Sequence, residues 1–256
     1  MNSISVNQEK SKRTGVKFSL QSILMLMVAI MMALVTLTSC VEDDENDDDP
    51  DEIENGENGN NGGVAGKRIK STIITEEGGE TRTGDFTYNS DGTLNRIDWN
   101  DSYSIFTNNP DGTYAKWEDI NTYGEMVMVY SYDANKKPLK AEGTIKNSAG
   151  TSPVTYDFTF QNGRKTFEIQ KFGTPGTDGY MSVTFEYNYN SSGRTTTTET
   201  HSLVGKRQFT RTYNSDGTLQ KVTTGGYTGV PTTGFTQTFT WENGKTTVNH
   251  DDHACY

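Results

Sequence analysis

Two cysteines, three histidines and six prolines are all that 256 residues hold of those types. The two thiols, Cys40 and Cys255, cannot supply a disulfide framework, so any fold must stand on its own packing. Histidine is equally scarce. His201 lies in a threonine-rich stretch and reads as an exposed strand residue. His250, Asp251, Asp252, His253 and Cys255 form a short group of metal-capable side chains, but at a chain end, where order is usually lost. No second ligand cluster accompanies them, so no metal or other cofactor is expected, and Cys255 reads as a free thiol.

Other absences narrow the function. The chain has no Gly-x-Ser-x-Gly elbow, no phosphate-binding Walker loop and no His-Glu-x-x-His pair. Acids are scattered (Asp85, Asp98, Asp101, Glu118, Asp119, Asp157, Glu168, Glu186, Glu199), and nothing in their spacing marks a catalytic carboxylate pair. No residue is nominated for catalysis. No basic patch lies beyond the first 39 residues, so nucleic acid is not an expected partner. Only 20 Leu, Ile and Val follow residue 66, too few for the outward apolar band of a membrane-spanning barrel, despite the aromatic Tyr256 at the end.

What the chain does have begins with an address. Lys10, Lys12, Arg13 and Lys17 precede an uncharged run from Phe18 to Thr38, which ends at Leu37-Thr38-Ser39-Cys40. A basic start, an apolar stretch and small residues at the end define a secretory signal. The stretch is also about long enough to span a bilayer, so an uncleaved anchor is the plainer alternative. From Glu42 to Glu57 there are 11 acids and no base, and Asn55–Gly66 is a Gly/Asn-rich spacer. Like charges repel, so this segment reads as an extended linker. The formal net charge of −11 therefore sits mostly in one place: from Lys67 onward, 19 bases face 22 acids.

The junction resembles the lipobox of bacterial lipoproteins, in which a Leu and two small residues precede a Cys. The resemblance implies lipidation of Cys40, cleavage before it, and attachment to the membrane through that lipid. The acidic run resembles an export signal that carries lipoproteins of one Gram-negative phylum to the outer face of the outer membrane. Its implication is a cell-surface location, with the periplasmic leaflet as the alternative. The expected organisation is a signal peptide (1–39), a lipidated and disordered tether (40–66), a β domain (67–249) and a flexible tail (250–256).

In the β domain no window shows a helical period. Apolar and polar residues instead alternate with period two, as in half-buried strands. Val154, Tyr156, Phe158 and Phe160 share one face; so do Val183, Phe185, Tyr187 and Tyr189, and so do Phe235, Phe239 and Trp241. Met126, Met128, Tyr130 and Tyr132 alternate with Val127 and Val129, so that strand is expected to be covered on both sides.

The heptapeptide Tyr-Asn-Ser-Asp-Gly-Thr-Leu occurs at 88–94 and again at 213–219. Looser copies start near Phe106, Tyr130, Phe158, Tyr187 and Phe239, at irregular spacing. Asn-Gly and Asp-Gly tolerate the positive φ of hairpin turns, and the aromatics supply buried area. The expected fold is all-β: an antiparallel meander of about a dozen strands in a curled or barrel-like sheet. With no helix to cover it, such a sheet must curl or fold over to bury its apolar face.

The repeat is similar to the tyrosine-aspartate repeats of the Rhs family. The layout as a whole resembles uncharacterised bacterial lipoproteins with a porin-like β fold. The chain is much shorter than the Rhs shells and lacks a toxin-like segment, so their encapsulating role is not expected of it. Most of Trp99, Trp117, Trp241 and the other aromatics read as core. Trp117, between Lys116 and Glu118, and Tyr227, in a Gly-rich loop, are the candidates for ligand contact. The expected function is that of a surface lipoprotein acting as a non-enzymatic interaction or binding module, with a glycan or protein as ligand. A glycan-binding accessory subunit of an outer-membrane uptake system is the alternative, and an extracellular hydrolase a third.

Overall fold

The computed structural model describes residues 66–191 and 195–244. The lipidation candidate Cys40, the acidic tether before Gly66, and the tail with His250, His253 and Cys255 lie outside the described residues. Described residues form fourteen strands and no helix. The first seven are β1 (Lys67–Glu76), β2 (Thr81–Tyr88), β3 (Leu94–Trp99), β4 (Tyr103–Asn108), β5 (Tyr114–Asn121), β6 (Gly124–Tyr132) and β7 (Pro138–Asn147). The rest are β8 (Gly150–Gln161), β9 (Arg164–Phe172), β10 (Met181–Tyr189), β11 (Thr195–His201), β12 (Gly205–Tyr213), β13 (Leu219–Thr224) and β14 (Phe235–Asn243). Each strand pairs antiparallel with the next, and β1 pairs with β14 to close a barrel. Closure leaves no unpaired sheet edge among these strands.

The repeat builds one rim. In each clear copy a five-residue loop joins the strands, longer than a two-residue hairpin turn. At the first copy Asn89 N–H donates to Thr93 O at 2.8 Å and Gly92 N–H to Asn89 O at 3.0 Å. The Asp91 carboxylate accepts from both the amide and the hydroxyl of Thr93, at 2.9 and 2.7 Å. The same bonds recur at Asn109, Asp111 and Thr113 and at Asn214, Asp216 and Thr218. Gly92, Gly112 and Gly217 take φ of 91°, 85° and 84°, which explains the invariable glycine of these three copies.

Directly after the loop comes a β-bulge. Tyr88 pairs with Leu94 but Thr87 pairs with Arg96, leaving Asn95 as the extra residue. Ala115, Leu139, Thr166 and Gln220 are extra in the same way, and Lys70 at the closing seam. A bulge raises the local twist, which helps a sheet curl. It also shifts the side-chain phase by one. Inward residues of these strands therefore run i, i+3, i+5: Leu94, Ile97, Trp99 on β3 and Tyr114, Trp117, Asp119 on β5.

Inward positions carry the core, including Phe106, Met128, Tyr156, Phe185, Phe209 and Val222. Each fully buried large apolar side chain contributes about 1.5–3 kcal/mol. Outward positions are polar on several strands: Thr155, Asp157 and Thr159 on β8, Ser182, Thr184 and Glu186 on β10, Thr236, Thr238 and Thr240 on β14. Two expectations are corrected. His201 is 2 % exposed, because it alternates inward with Thr197 and Glu199. The second face of β6 is not covered: Val129 is 55 % exposed, since nothing packs outside a single-layered barrel.

Ion pairs decorate the outer face just past the bulges. Arg96 pairs with Asp98 at 2.6 Å and Lys116 with Glu118 at 2.8 Å, and Lys140 with Glu142 in the same i, i+2 arrangement. At the seam Arg68 Nε donates to Glu242 Oε1 at 2.7 Å, and Gly244 N–H to Gly66 O at 2.9 Å. The described chain thus begins and ends at the rim of the repeat turns. The opposite rim carries the longer loops 173–180 and 225–234.

Candidate functional site

The barrel interior is not purely apolar. On β9 the inward residues are Lys165, Glu168, Gln170 and Phe172. Lys165 Nζ lies 3.3 Å from Glu168 Oε2, both fully buried. Glu168 also accepts from Gln170 Nε2 at 2.6 Å and from the Tyr187 hydroxyl at 3.1 Å. The Lys165 ammonium sits 4.6 Å over the Tyr187 ring. Such a pair is tolerable inside only because each charge is both paired and hydrogen-bonded.

A second ionic group closes the long-loop mouth. Arg207 Nε donates to Glu199 Oε2 at 2.7 Å, with side-chain exposures of 8 % and 1 %. The Tyr227 hydroxyl donates to the other carboxylate oxygen, Glu199 Oε1. The Arg207 guanidinium lies 4.4 Å over the Tyr227 ring. His201 meets Tyr227 edge-on at 6.1 Å, and its Nδ1 accepts from Leu203 N–H at 3.1 Å. Burial, and secondarily the Arg207 charge, lower the His201 pKa to about 4, so it is neutral at pH 7. Loop 225–234 is pinned over this group: Thr228 N–H donates to Lys206 O at 2.9 Å and Tyr227 N–H to Thr232 Oγ1 at 2.7 Å. A Cβ at Gly226 would lie 1.8 Å from Thr232 O, so the loop needs glycine there to close.

These facts place the two aromatic candidates. Tyr227 is 8 % exposed and plugs the mouth through Glu199 and Arg207. Trp117 is 1 % exposed and packs in the core. Neither ring is presented on the outer surface. Of the scattered acids, Asp119, Glu168 and Glu199 point inward. Asp119 accepts from Ser104 Oγ at 3.4 Å, and burial raises its pKa to about 7.

On the outside, one cleft of about 410 Å3 opens at the long-loop rim. It spans β12, β13, β14 and β1. Thr210, Thr223, Thr236 and Thr75 lie side by side across those four strands, in direct register. Gln208, Thr224 and Gly225 line one end, and Glu76 and Glu77 the other; Phe235 borders it too, but its ring turns inward onto Phe209, 6.1 Å away. Lys, Arg and His are absent from its lining. Sequence reading missed this cleft, because it is assembled across the seam from residues far apart in the chain.

No family model matches the chain, and no curated protein matches it.

Proposed function

We propose that the chain is a lipid-anchored surface lipoprotein whose β-barrel acts as a non-enzymatic binding module. Cys40 carries the lipid, and the acidic segment between it and Gly66 is the tether. The observation that carries this reading is the opposition of the two rims. The described domain starts at Gly66 on the repeat-turn rim, whereas the cleft opens at the other end of β1, beside Glu76 and Glu77. Ten residues of strand separate them, about 30 Å. A barrel tethered by its N-terminus would hold the cleft away from the membrane.

The outer face supports the same reading. Outward threonines and ion pairs suit water; a spanning barrel reverses this, with an apolar band outside. Membrane contact then rests with the lipid, and several acyl chains hold far more firmly than one.

Protease added to intact cells tests the proposal. Cleavage between Cys40 and Gly66 on whole cells, with loss of membrane association in Cys40→Ala, is the expected result. Protection until the outer membrane is opened would place the protein on the periplasmic leaflet. Firm attachment of the Cys40→Ala product would overturn the lipid anchor.

A further inference from the structure

We propose that the long-loop mouth is an acid-released latch: a proton taken up by His201 frees loop 225–234 while the rest of the barrel stays folded. This goes beyond a binding role and does not depend on where the chain is anchored. Three observations carry it.

The first is a hydrogen bond that admits only one protonation state. His201 Nδ1 accepts from Leu203 N–H at 3.1 Å. A neutral imidazole can accept there; an imidazolium carries a proton on both nitrogens and cannot. The ring is 2 % exposed, so water does not reach it in the closed mouth. Its Nε2, which carries the proton of this tautomer, makes no hydrogen bond among the described residues.

The second is charge. The charged and titratable groups around the ring are Glu199 on its own strand, Arg207 on β12 and Tyr227 on the loop; β10 presents Val183 directly opposite. Both oxygens of Glu199 are already taken, Oε2 by Arg207 Nε and Oε1 by the Tyr227 hydroxyl. A second cation beside Arg207 would have no carboxylate of its own. Burial and Arg207 therefore hold the closed-mouth pKa at about 4, against about 6.5 for a solvated imidazole.

The third is a path of contacts from ring to loop. The turn 202–204, which His201 holds through Leu203, is also the turn that holds the loop: Val204 O accepts from Gly229 N–H at 3.2 Å. Beside it, Lys206 O accepts from Thr228 N–H at 2.9 Å, and Lys206 N–H donates to Thr228 Oγ1 at 3.2 Å. The Tyr227 ring meets His201 edge-on. Protonation sets Nδ1–H against Leu203 N–H, loosens the turn and places charge beside Tyr227, so one event acts on both fastenings of the loop. Release would uncover the Arg207–Glu199 pair beneath the Tyr227 ring. The repeat-turn rim has no histidine among the described residues, and its turn carboxylates titrate below their usual range.

The test is hydrogen exchange on the full chain in detergent at about pH 7 and about pH 4.5, corrected for the intrinsic pH dependence of amide exchange. The opening equilibrium read at Thr228 and Gly229 should rise about fifty-fold, the linkage expected for an imidazole that is solvated only in the open mouth. Asn89 and Asn214, in the repeat turns, should change less than about threefold. His201→Asn places an acceptor near the position of Nδ1 and takes up no proton, so its loop should open equally at both pH values. Circular dichroism checks that the variant folds; His201→Gln stands in if it does not. No rise at Thr228 and Gly229 in the wild type would overturn the proposal. An equal rise at both rims would also overturn it, since that is acid unfolding of the whole barrel, and so would a rise that persists in the folded variant.

Discussion

The Tyr88 hydroxyl donates to the main-chain carbonyl of Ile69 at 2.8 Å. This bond sits where the β1–β2 ladder stops: Ser71 still pairs with Asp85, but Ile69, one residue before the bulge, has no ladder partner on that side. The arrangement recurs around the rim. Asn108 Nδ2 donates to Leu94 O, Tyr132 to Tyr114 O, Tyr189 to Lys165 O and Trp241 Nε1 to Leu219 O, at 2.8–2.9 Å. The last inward residue of one hairpin thus stitches to the first inward residue of the strand before it. The repeat's aromatic is needed as a donor as well as for its ring.

Tyr88→Phe keeps the ring and removes the donor, leaving a half-buried carbonyl unpaired. Its expected cost is about 1–2 kcal/mol, read as a lower urea midpoint at unchanged m. Tyr132→Phe should behave alike. Phe160 holds the equivalent place on β8 without a hydroxyl. Phe160→Tyr should therefore be neutral or mildly stabilising, and a loss equal to that of Tyr88→Phe would refute the stitching account.

The turn carboxylates give an acid-limb prediction. The Thr93 hydroxyl and amide hold Asp91 below the usual carboxylate range, and Thr113 and Thr218 do the same for Asp111 and Asp216. A carboxylate with a lowered folded pKa contributes stability above its unfolded pKa of about 3.8, lost as pH falls through the folded value. The urea midpoint should drop below about pH 4, and the triple variant Asp91→Asn/Asp111→Asn/Asp216→Asn should flatten that limb.

The even strands were legible because their alternation is unbroken: the residues of β8, β10 and β14 named from period two all face inward. The odd strands were not, because the bulge is invisible to a period-two rule. The charged neighbours Lys116 and Glu118 single out Trp117 as a ligand candidate, and strict alternation from Tyr114 would indeed place those two inside and leave Trp117 outside. One extra residue, Ala115, reverses that assignment. Lys165, Glu168 and Glu199 were illegible for a second reason. Charges read as outward by default, and only the closed barrel supplies the partners that let them turn in.

Asp119 and His201 shift in opposite senses, and both favour the neutral form. For Asp119 the folded pKa of about 7 exceeds the unfolded value, so its stabilising contribution is complete below about pH 4 and is lost as pH rises toward 7. The total is on the order of a few kcal/mol. Asp119→Asn should remove this slope and raise stability at pH 7 relative to pH 5. For His201 the folded pKa of about 4 lies below the unfolded one, so its contribution holds above about pH 6.5 and is lost as pH falls toward 4. NMR of the ring protons should show no titration of His201 between pH 8 and 5.

The Glu199–Arg207–Tyr227 group offers the most direct test of what holds the mouth shut. Glu199→Gln leaves the Arg207 guanidinium buried without its counter-charge, at an expected cost of about 3–5 kcal/mol. Tyr227→Phe loses a single bond to that carboxylate and should cost less, about 1.5–3 kcal/mol, because the acceptor is charged. Glu199→Leu/Arg207→Met removes both charges with similar volume and should lie much nearer the wild type than Glu199→Gln. Hydrogen exchange then separates local from global effects. Loop 225–234 is tied to Lys206 of β12 and to Val204 in the turn just before it, so Tyr227→Phe should speed exchange at Thr228 and Gly229 before it affects the repeat-turn rim. Equal acceleration at both rims would mean that the mouth and the barrel open as one unit.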